Sequence, residues 1–486
     1  MAATDKIGIS GFASYIPPNR VALEDWCQWT GDSWDKVRNV VGHSFRMRGH
    51  NENAYTMAAT AVLRLIRNYQ IDPQRIGFLG LGTESSTDNS AGAVIIKGMV
   101  NKGLRHHGLA QLARACEVPE FKHACLGGVY AMKAAARYLA FDGRDKLAIV
   151  VCADVAEYQQ NSSGEPTQGA GAVAMLMDGD AQLVTVDLQN SGSASDYRGP
   201  DFRKPFLRFM KQAPTEWAQP RDFPIFNGKY STTCYIDEVL AAMGDLFSRT
   251  EQRPAAYLRS MAATFLHRPY QRMAETGLVM SYLLALSLGG VDDQAELAEY
   301  AASAAIDPAA LSAELQQQCD VYQLVERKDL SAELYPNATA AARAFRQAPA
   351  FKTLMTDLGH EAIKDVGNLY TASLPAWMAA GIEDALERKL DLTGKQILTV
   401  GYGSGDAAEV IPMQFVPGWE TAAARIGFGA GLASEHTLSQ QAYQALHDGE
   451  APTEPLRQAT DVFYIDHIGS REQQYDDSGI EYYRYG

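Results

Sequence analysis

Cys125 lies in the stretch Phe121-Lys-His-Ala-Cys-Leu-Gly-Gly-Val-Tyr130, just ahead of an Ala-rich run at residues 129–140 whose composition predicts a helix. A thiol at the mouth of a helix feels the positive end of the helix dipole, which favours the thiolate, the nucleophilic form. Gly127 and Gly128 would leave the sulfur open to a bulky acyl donor. Free cysteines are also commonly buried as small hydrophobes, so local context leaves both readings open.

Three further residue types could serve such a nucleophile. Glu84, in Gly82-Thr-Glu-Ser-Ser-Thr-Asp88, follows a buried apolar run. Residues at the ends of parallel strands face the crevice of an α/β enzyme. A half-buried carboxyl there is a candidate general base, its pKa raised by burial. It could equally cap the next helix. His267, in Phe265-Leu-His-Arg-Pro-Tyr270, ends an apolar run before a proline. It could polarise a carbonyl or pair with a thiolate, and a lone histidine can also be structural. Asn368 in Val366-Gly-Asn-Leu-Tyr-Thr371 could donate its amide to a carbonyl. The amides around Ser404 in Gly401-Tyr-Gly-Ser-Gly405 could form part of an oxyanion site. Arg198, Arg203, Lys204, Arg208 and Lys211 crowd one stretch, as a phosphate-contacting patch or a solvated loop.

The elements that must position these residues alternate. Residues 6–14, 76–82, 147–153 and 396–401 read as strands, and residues 54–69, 91–102, 129–140 and 382–390 as helices or helix ends. The run at 147–153 is continuously apolar, as in a strand buried on both faces. This alternation predicts an α/β fold with a largely parallel sheet. The late strand and turn echo the earlier ones, which suggests two related halves. Residues 277–355 are rich in Ala, Gln, Glu and Leu and read as an added helical region. The stretch from Ser470 reads as a polar terminal segment. The divisions follow: residues 1–190 as a first half, 191–276 as a substrate-binding segment opening the second, 277–355 as the insertion, and 356–486 as the remainder.

Composition bounds the class. The chain has 486 residues, 46% of them hydrophobic, and a formal net charge of -15. That balance argues against nucleic-acid binding, which needs a basic face. Six cysteines without a CxxC pair predict neither a zinc ribbon nor a disulfide scaffold. No signal-peptide pattern and no long apolar span appear, so a cytoplasmic protein without membrane contact is expected. The Gly-rich segment at 161–175 lacks the Lys-Ser/Thr of a phosphate-binding loop.

Taken together and in order, the segments resemble the hydroxymethylglutaryl-CoA synthase family of the thiolase superfamily. The most specific match is Asn161-Ser-Ser-Gly-Glu-Pro-Thr-Gln-Gly-Ala-Gly-Ala-Val-Ala-Met175. It is joined by Ala124-Cys125, Thr83-Glu84-Ser85, His267-Arg-Pro-Tyr270, Gly367 to Thr371, and Tyr402 to Gly405. The resemblance implies a duplicated five-layer αβαβα fold and a homodimer. It implies that Cys125 carries an acetyl group from acetyl-CoA, that Glu84 removes a proton from its methyl, and that His267 orients the C3 ketone of acetoacetyl-CoA. Water then cleaves the enzyme thioester, with no metal or redox cofactor. Tyr158, Thr167, Asn368, Tyr370, Ser404 and Tyr270 are the substrate-binding candidates. Arg198, Arg203, Lys204, Arg268 and Arg272 are candidates for the CoA phosphates. The implied setting is mevalonate and isoprenoid formation. An alternative is a β-branching synthase acting on a chain bound to an acyl carrier protein, and a third reading is a non-catalytic scaffold. Leu126 stands where the family often carries Tyr. Residues 277–355 lengthen the usual spacing between the His and Asn motifs, and residues 42–48 look more like a ketoacyl synthase of type III.

Overall fold

The apolar runs become the strands of one mixed sheet. The computed structural model describes residues 6–86, 89–211, 223–457, 459–471 and 475–486, with backbone alone at 207 and 208. In the first half β1 (Gly8–Tyr15), α1 (Ala54–Asn68), β2 (Ile76–Gly82), α2 (Gly92–His106), β3 (Glu120–Phe121), α3 (Gly127–Ala140), β4 (Leu147–Ala156) and β5 (Gly169–Asp178) follow in turn. The second half begins with β6 (Val184–Val186), β7 (Gly192–Ser195), α4 (Lys229–Arg249), β8 (Ala263–Leu266) and α5 (Gln271–Ser287). It continues with α6 (Val291–Ser303), α7 (Pro308–Leu315), α8 (Pro336–Phe345), α9 (Ser373–Glu387), β9 (Gln396–Gly403) and β10 (Ala407–Phe415).

The strand order is β8-β9-β10-β6-β1-β5-β4-β2-β3, with β7 also on β10. Helices α1 and α2 cover the outer face of the first half. Helix α9 touches strands of both halves, and α4 and α5 lie against the second half. Helix α3 is the other middle element: it lies on β2 and β4, while a side chain at Gly401 of β9 would strike Leu126 and Val129. With the first-half and second-half stretches of this sheet taken as separate layers, the order helix, sheet, helix pair, sheet, helix is the five-layer arrangement expected from the resemblance.

The sheet is mixed, which corrects the expectation of a largely parallel one. Strands β8/β9, β2/β3 and β2/β4 are parallel, whereas β4/β5, β1/β5 and β9/β10 are antiparallel. The reason is connection length. Only Ser404, Gly405 and Asp406 separate β9 from β10, and so short a link can only return the chain antiparallel.

The boundary drawn at 277 falls inside α5, so the helical region grows out of that helix. Helices α6, α7 and α8 pack against α5. Phe345 anchors them: it is fully buried, stacked on Tyr282 at 4.9 Å and edge-on to Tyr300 at 5.2 Å. Burying such a ring contributes about 1.5–3 kcal/mol. The terminal segment is also more ordered in pattern than its polarity suggested. Phe463–Ile468 and Glu481–Tyr485 pair as two antiparallel strands, and Phe463 joins the core of the first half.

Candidate active site

Asp154 organises the site from below. It sits near the end of β4, fully buried, within a run that is otherwise apolar. Its Oδ1 accepts from Thr83 Oγ1 (2.9 Å), Glu84 N (2.8 Å), Ser85 N (3.1 Å) and Ser85 Oγ (2.7 Å). Its Oδ2 accepts from Thr371 N (2.9 Å) and Thr371 Oγ1. One carboxylate therefore ties the loop after β2 to the loop before α9. Burial pushes the Asp154 carboxyl up, while hydrogen bonds from Thr371, Ser85 and Glu84 act against that shift. This residue was not singled out from the sequence, although an aspartate inside an apolar strand was the signal that could have marked it.

The loop delivers Glu84 to Cys125: Oε2 and Sγ are 3.5 Å apart. Cys125 follows Ala124, whose backbone is left-handed at φ 42, and precedes the first turn of α3. The expectation of a dipole-stabilised thiolate is corrected here. Burial, then the Glu84 and Asp154 carboxylates, push the thiol well above its ordinary range. A helix dipole is worth about 0.3–1 kcal/mol at an exposed site, too little to oppose a buried position beside two carboxylates. The glycines also have another role than clearing a path to the sulfur. A Cβ on Gly128 would lie 2.3 Å from Cys152 Sγ, and one on Gly82 would lie 2.5 Å from the Gly128 backbone. They let α3 approach the sheet.

His267 leaves the end of β8, its N–H donating to Val400 O at 2.7 Å. Its ring is buried and lies nearly parallel to Tyr402, 6.3 Å between centroids. Neither ring nitrogen has a partner among the described residues. Burial lowers its pKa to about 3, so the imidazole is neutral at physiological pH. Asn368 is held by its Oδ1, which accepts from Tyr370 N (2.9 Å) and Ser373 Oγ (3.0 Å). Its Nδ2 is thereby turned toward Tyr158 OH at 3.4 Å.

Cys125, His267, Asn368, Tyr158, Thr167, Tyr270 and Ser404 line one cavity of about 50 Å³. That volume admits a few water-sized groups, the scale of an acetyl unit. Two of the catalytic and substrate-binding candidates stand outside its lining. Glu84 reaches it through Cys125, and Tyr370 packs edge-on behind Tyr158. Thr167 spends its hydroxyl on Gly164 O at 2.7 Å. Asp201, Tyr402, Tyr235 and Phe202 also line the cavity and had not been singled out individually.

The basic candidates divide. Arg198 is buried and paired with Asp237 (2.6 Å) and Glu238 (2.8 Å), so it is a fold element and not a phosphate contact. Arg268 is likewise buried, 5.9 Å over the Trp377 ring, and burial lowers it to about 10. For Arg198 the cause is that neighbours along the chain were read as neighbours in space; Arg268 is turned inward behind the His267 strand end. Lys204 lies beside the site with Nζ 3.2 Å from Glu84 O, and Arg203 is exposed next to Phe202. Arg272 is half-exposed and pairs with Glu275 at 3.4 Å. Thr87, Asp88 and the Arg208 side chain lie outside the described residues, and Lys211 is exposed. Among the described residues no helix is long and apolar enough to cross a membrane.

Family models match most of the chain. The model for the hydroxymethylglutaryl-coenzyme A synthase N terminal matches residues 3–182, and that for the C terminal matches residues 217–446. Hydroxymethylglutaryl-CoA synthase erg13A of Aspergillus fumigatus is 26% identical over 92% of this chain and 87% of its own. Among solved structures, MvaS in complex with 3-hydroxy-3-methylglutaryl coenzyme A superposes with a TM-score of 0.75 at 24% identity, covering 99% of each chain. The curacin pathway HMG synthase in complex with acetyl donor-ACP gives 0.69 at 18%, covering 99% of this chain and 100% of that one. These likenesses show the thiolase-like α/β fold. With the two family models spanning both halves, the chain belongs to the hydroxymethylglutaryl-CoA synthase family, a family of acyl-transferring condensing enzymes.

Proposed function

We propose that this protein condenses an acetyl thioester with a β-ketoacyl thioester, acetyl-CoA with acetoacetyl-CoA in the simplest case, through an acetyl group carried on Cys125. The observation that carries this reading is the 3.5 Å contact of Cys125 Sγ with Glu84 Oε2, on the wall of a cavity shared with His267 and Asn368. A thiol held protonated needs a base, and Glu84 is in place to take its proton as sulfur attacks the acetyl carbonyl. That proton leaves with the CoA thiol. The regenerated carboxylate then removes a proton from the methyl of acetyl-Cys125, which the thioester acidifies. The resulting enolate carbon bonds to the acceptor ketone, and Glu84 returns the proton to the new alkoxide.

Neutral His267 acts as a hydrogen-bond donor to the ketone oxygen, with no charge to contribute. The Cys125 and Ser404 amides are the candidate donors to the enolate oxygen. Water cleaves the enzyme thioester, releasing a carboxylate and the thiol. Each step is a proton transfer or a change at a C–C, C–S or C–O bond, so none calls for a metal or redox group. Lys204 and Arg203 are the basic residues best placed for an anionic substrate arm. A homodimer belongs to the same reading and is checked by sedimentation.

A carrier-protein-bound acceptor is the second reading. Exposed Phe206 follows Arg203 and Lys204, and Tyr197 in the same stretch is also exposed, a mixture of apolar and basic groups that would receive an acidic carrier. Thiol release from acetyl-CoA with a panel of β-ketoacyl thioesters, on CoA and on carrier protein, separates the two. Thiol release with neither acceptor would refute the condensation reading.

A further inference from the structure

A second carboxylate pair lies behind the Tyr402 ring. Asp201 and Asp406 are both buried, with a carboxylate oxygen of one within 4.8 Å of a carboxylate oxygen of the other. Tyr402 OH lies 3.1 Å from Asp201 Oδ2 and 3.0 Å from Asp406 Oδ1. Asp406 Oδ1 also accepts from Gly405 N, so the single Tyr402 proton is left for Asp201 Oδ2. The remaining oxygens, Asp201 Oδ1 and Asp406 Oδ2, are buried without a donor among the described residues. Two ionised carboxylates this close repel each other in a buried site, whereas one proton held between them removes that repulsion.

We propose that Asp201 and Asp406 share one proton at working pH, and that Asp406 is thereby a positioning residue for the wall of the condensation site. The chain of contacts is short. Asp201, Tyr402 and His267 line the same cavity, and the Tyr402 ring faces His267 with 6.3 Å between centroids. Losing the shared proton sets two buried carboxylates against each other on either side of the Tyr402 hydroxyl. The ring that faces His267 then moves.

The surroundings oppose ionisation of the pair. Helix α4 presents Tyr230, Ser231, Cys234, Asp237 and Glu238, and the preceding loop presents Asp196 and Arg198. Arg198 is the only cation among these groups, 3.9 Å from Asp406 Oδ2 by its Nε, and it is already paired with Asp237 and Glu238. Burial, then Asp201, push the Asp406 carboxyl up to about 9. Asp201, Cys234 and Asp406 also stand close enough for a metal ion, so a cation is the rival way to meet the negative charge. The Arg198 guanidinium, 3.9 Å from Asp406 Oδ2, repels a second cation and so disfavours the metal.

This inference rests on the condensation reading for its effect on activity, and its thermal arm does not. Purified wild type, Asp406→Asn and Asp406→Ala are compared for condensation kcat/KM and melting temperature between about pH 6 and pH 10.5, and for bound metal by elemental analysis. Asparagine keeps the Oδ1 acceptor and places an N–H where the shared proton lies. The expected result is that Asp406→Asn keeps wild-type activity at pH 7 within about threefold and Asp406→Ala loses at least tenfold. Above about pH 9 wild type falls about tenfold per pH unit, a limb that Asp406→Asn lacks. The melting temperature of Asp406→Asn gains on wild type as pH rises from 6 to 9. An inactive Asp406→Asn, an unchanged alkaline limb in it, or a stoichiometric metal that it loses would each overturn the proposal. If the wild type shows no condensation, the condensation reading fails, and the pH dependence of melting still decides whether the proton is shared.

Discussion

Asp154→Asn is the perturbation that probes how the site is built. The wild-type carboxylate satisfies six donors, four on Oδ1 and two on Oδ2. Asparagine keeps one acceptor and turns the other into a donor. With its oxygen kept toward the Thr83–Ser85 loop, its NH₂ faces Thr371 N and Oγ1. Thr371 Oγ1 keeps Gly82 O as an acceptor at 2.9 Å and can accept from the new NH₂, so the Thr371 N–H is the donor left unsatisfied, at about 1–3 kcal/mol. The opposite flip exposes four donors and costs more. The chain relieves this by moving one loop, and either movement separates Glu84 from Cys125 or Asn368 from both. Displacement of about 1 Å costs on the order of 100-fold in rate. The assay pairs stopped-time acetylation of Cys125 with steady-state condensation and thermal melting. The reasoning requires a condensation rate down about 100-fold and a melting temperature lower by several degrees. A variant with wild-type melting and kcat/KM within about threefold would refute it.

Glu84→Ala should slow condensation by about 10²–10⁴-fold and acetylation by less, because removing the carboxylate also lets the thiol ionise more readily; equal condensation by the variant would remove Glu84 from the base role. His267 has a folded pKa of about 3, below its unfolded value of about 6.5, so the unfolded chain binds the extra proton between those values. Its stability contribution is present above about pH 6.5 and is lost as pH falls toward 3, and His267→Asn should therefore close its melting gap with wild type on acidification. A gap that widens would contradict the neutral imidazole. Arg198→Ala leaves Asp237 and Glu238 buried without their cation and should destabilise by about 3–5 kcal/mol, read by denaturant unfolding. Lys204→Ala should leave melting unchanged and raise KM for the CoA thioester; the reverse pattern would restore Arg198 as the phosphate contact. Gly128→Ala drives a methyl into Cys152 Sγ and should cost about 1–3 kcal/mol in the same unfolding assay.

Much of the site was legible because its residues end apolar runs. Glu84 follows β2, His267 follows β8 and Ser404 follows β9, so strand ends marked the crevice before any contact was known. Asn368 and Tyr158 were legible as motif positions. What stayed hidden depends on three-dimensional neighbours. Asp154 binds two loops from positions far apart in the chain, and its only sequence trace is a charge inside an apolar strand. The state of Cys125 was misjudged because a dipole argument is local, while desolvation and the two carboxylates are tertiary. Arg198 looked like part of a basic cluster until α4 brought Asp237 and Glu238 to it. The Asp201–Asp406 pair joins a loop to a turn, and neither segment suggests the other. The added helices were visible by composition, but their start was not, because α5 runs through the point where composition changes.

The central claim is that Cys125 carries the acetyl group. Incubation of the wild type with acetyl-CoA alone, a rapid acid quench, and mass spectrometry of the proteolytic fragment containing Cys125 tests it directly. The account predicts one acetyl group on that fragment, bound at Cys125, absent from Cys125→Ser and discharged when acetoacetyl-CoA is added before the quench. An unmodified Cys125 in an enzyme that still condenses the two thioesters, or an acetyl group on another residue, would contradict it.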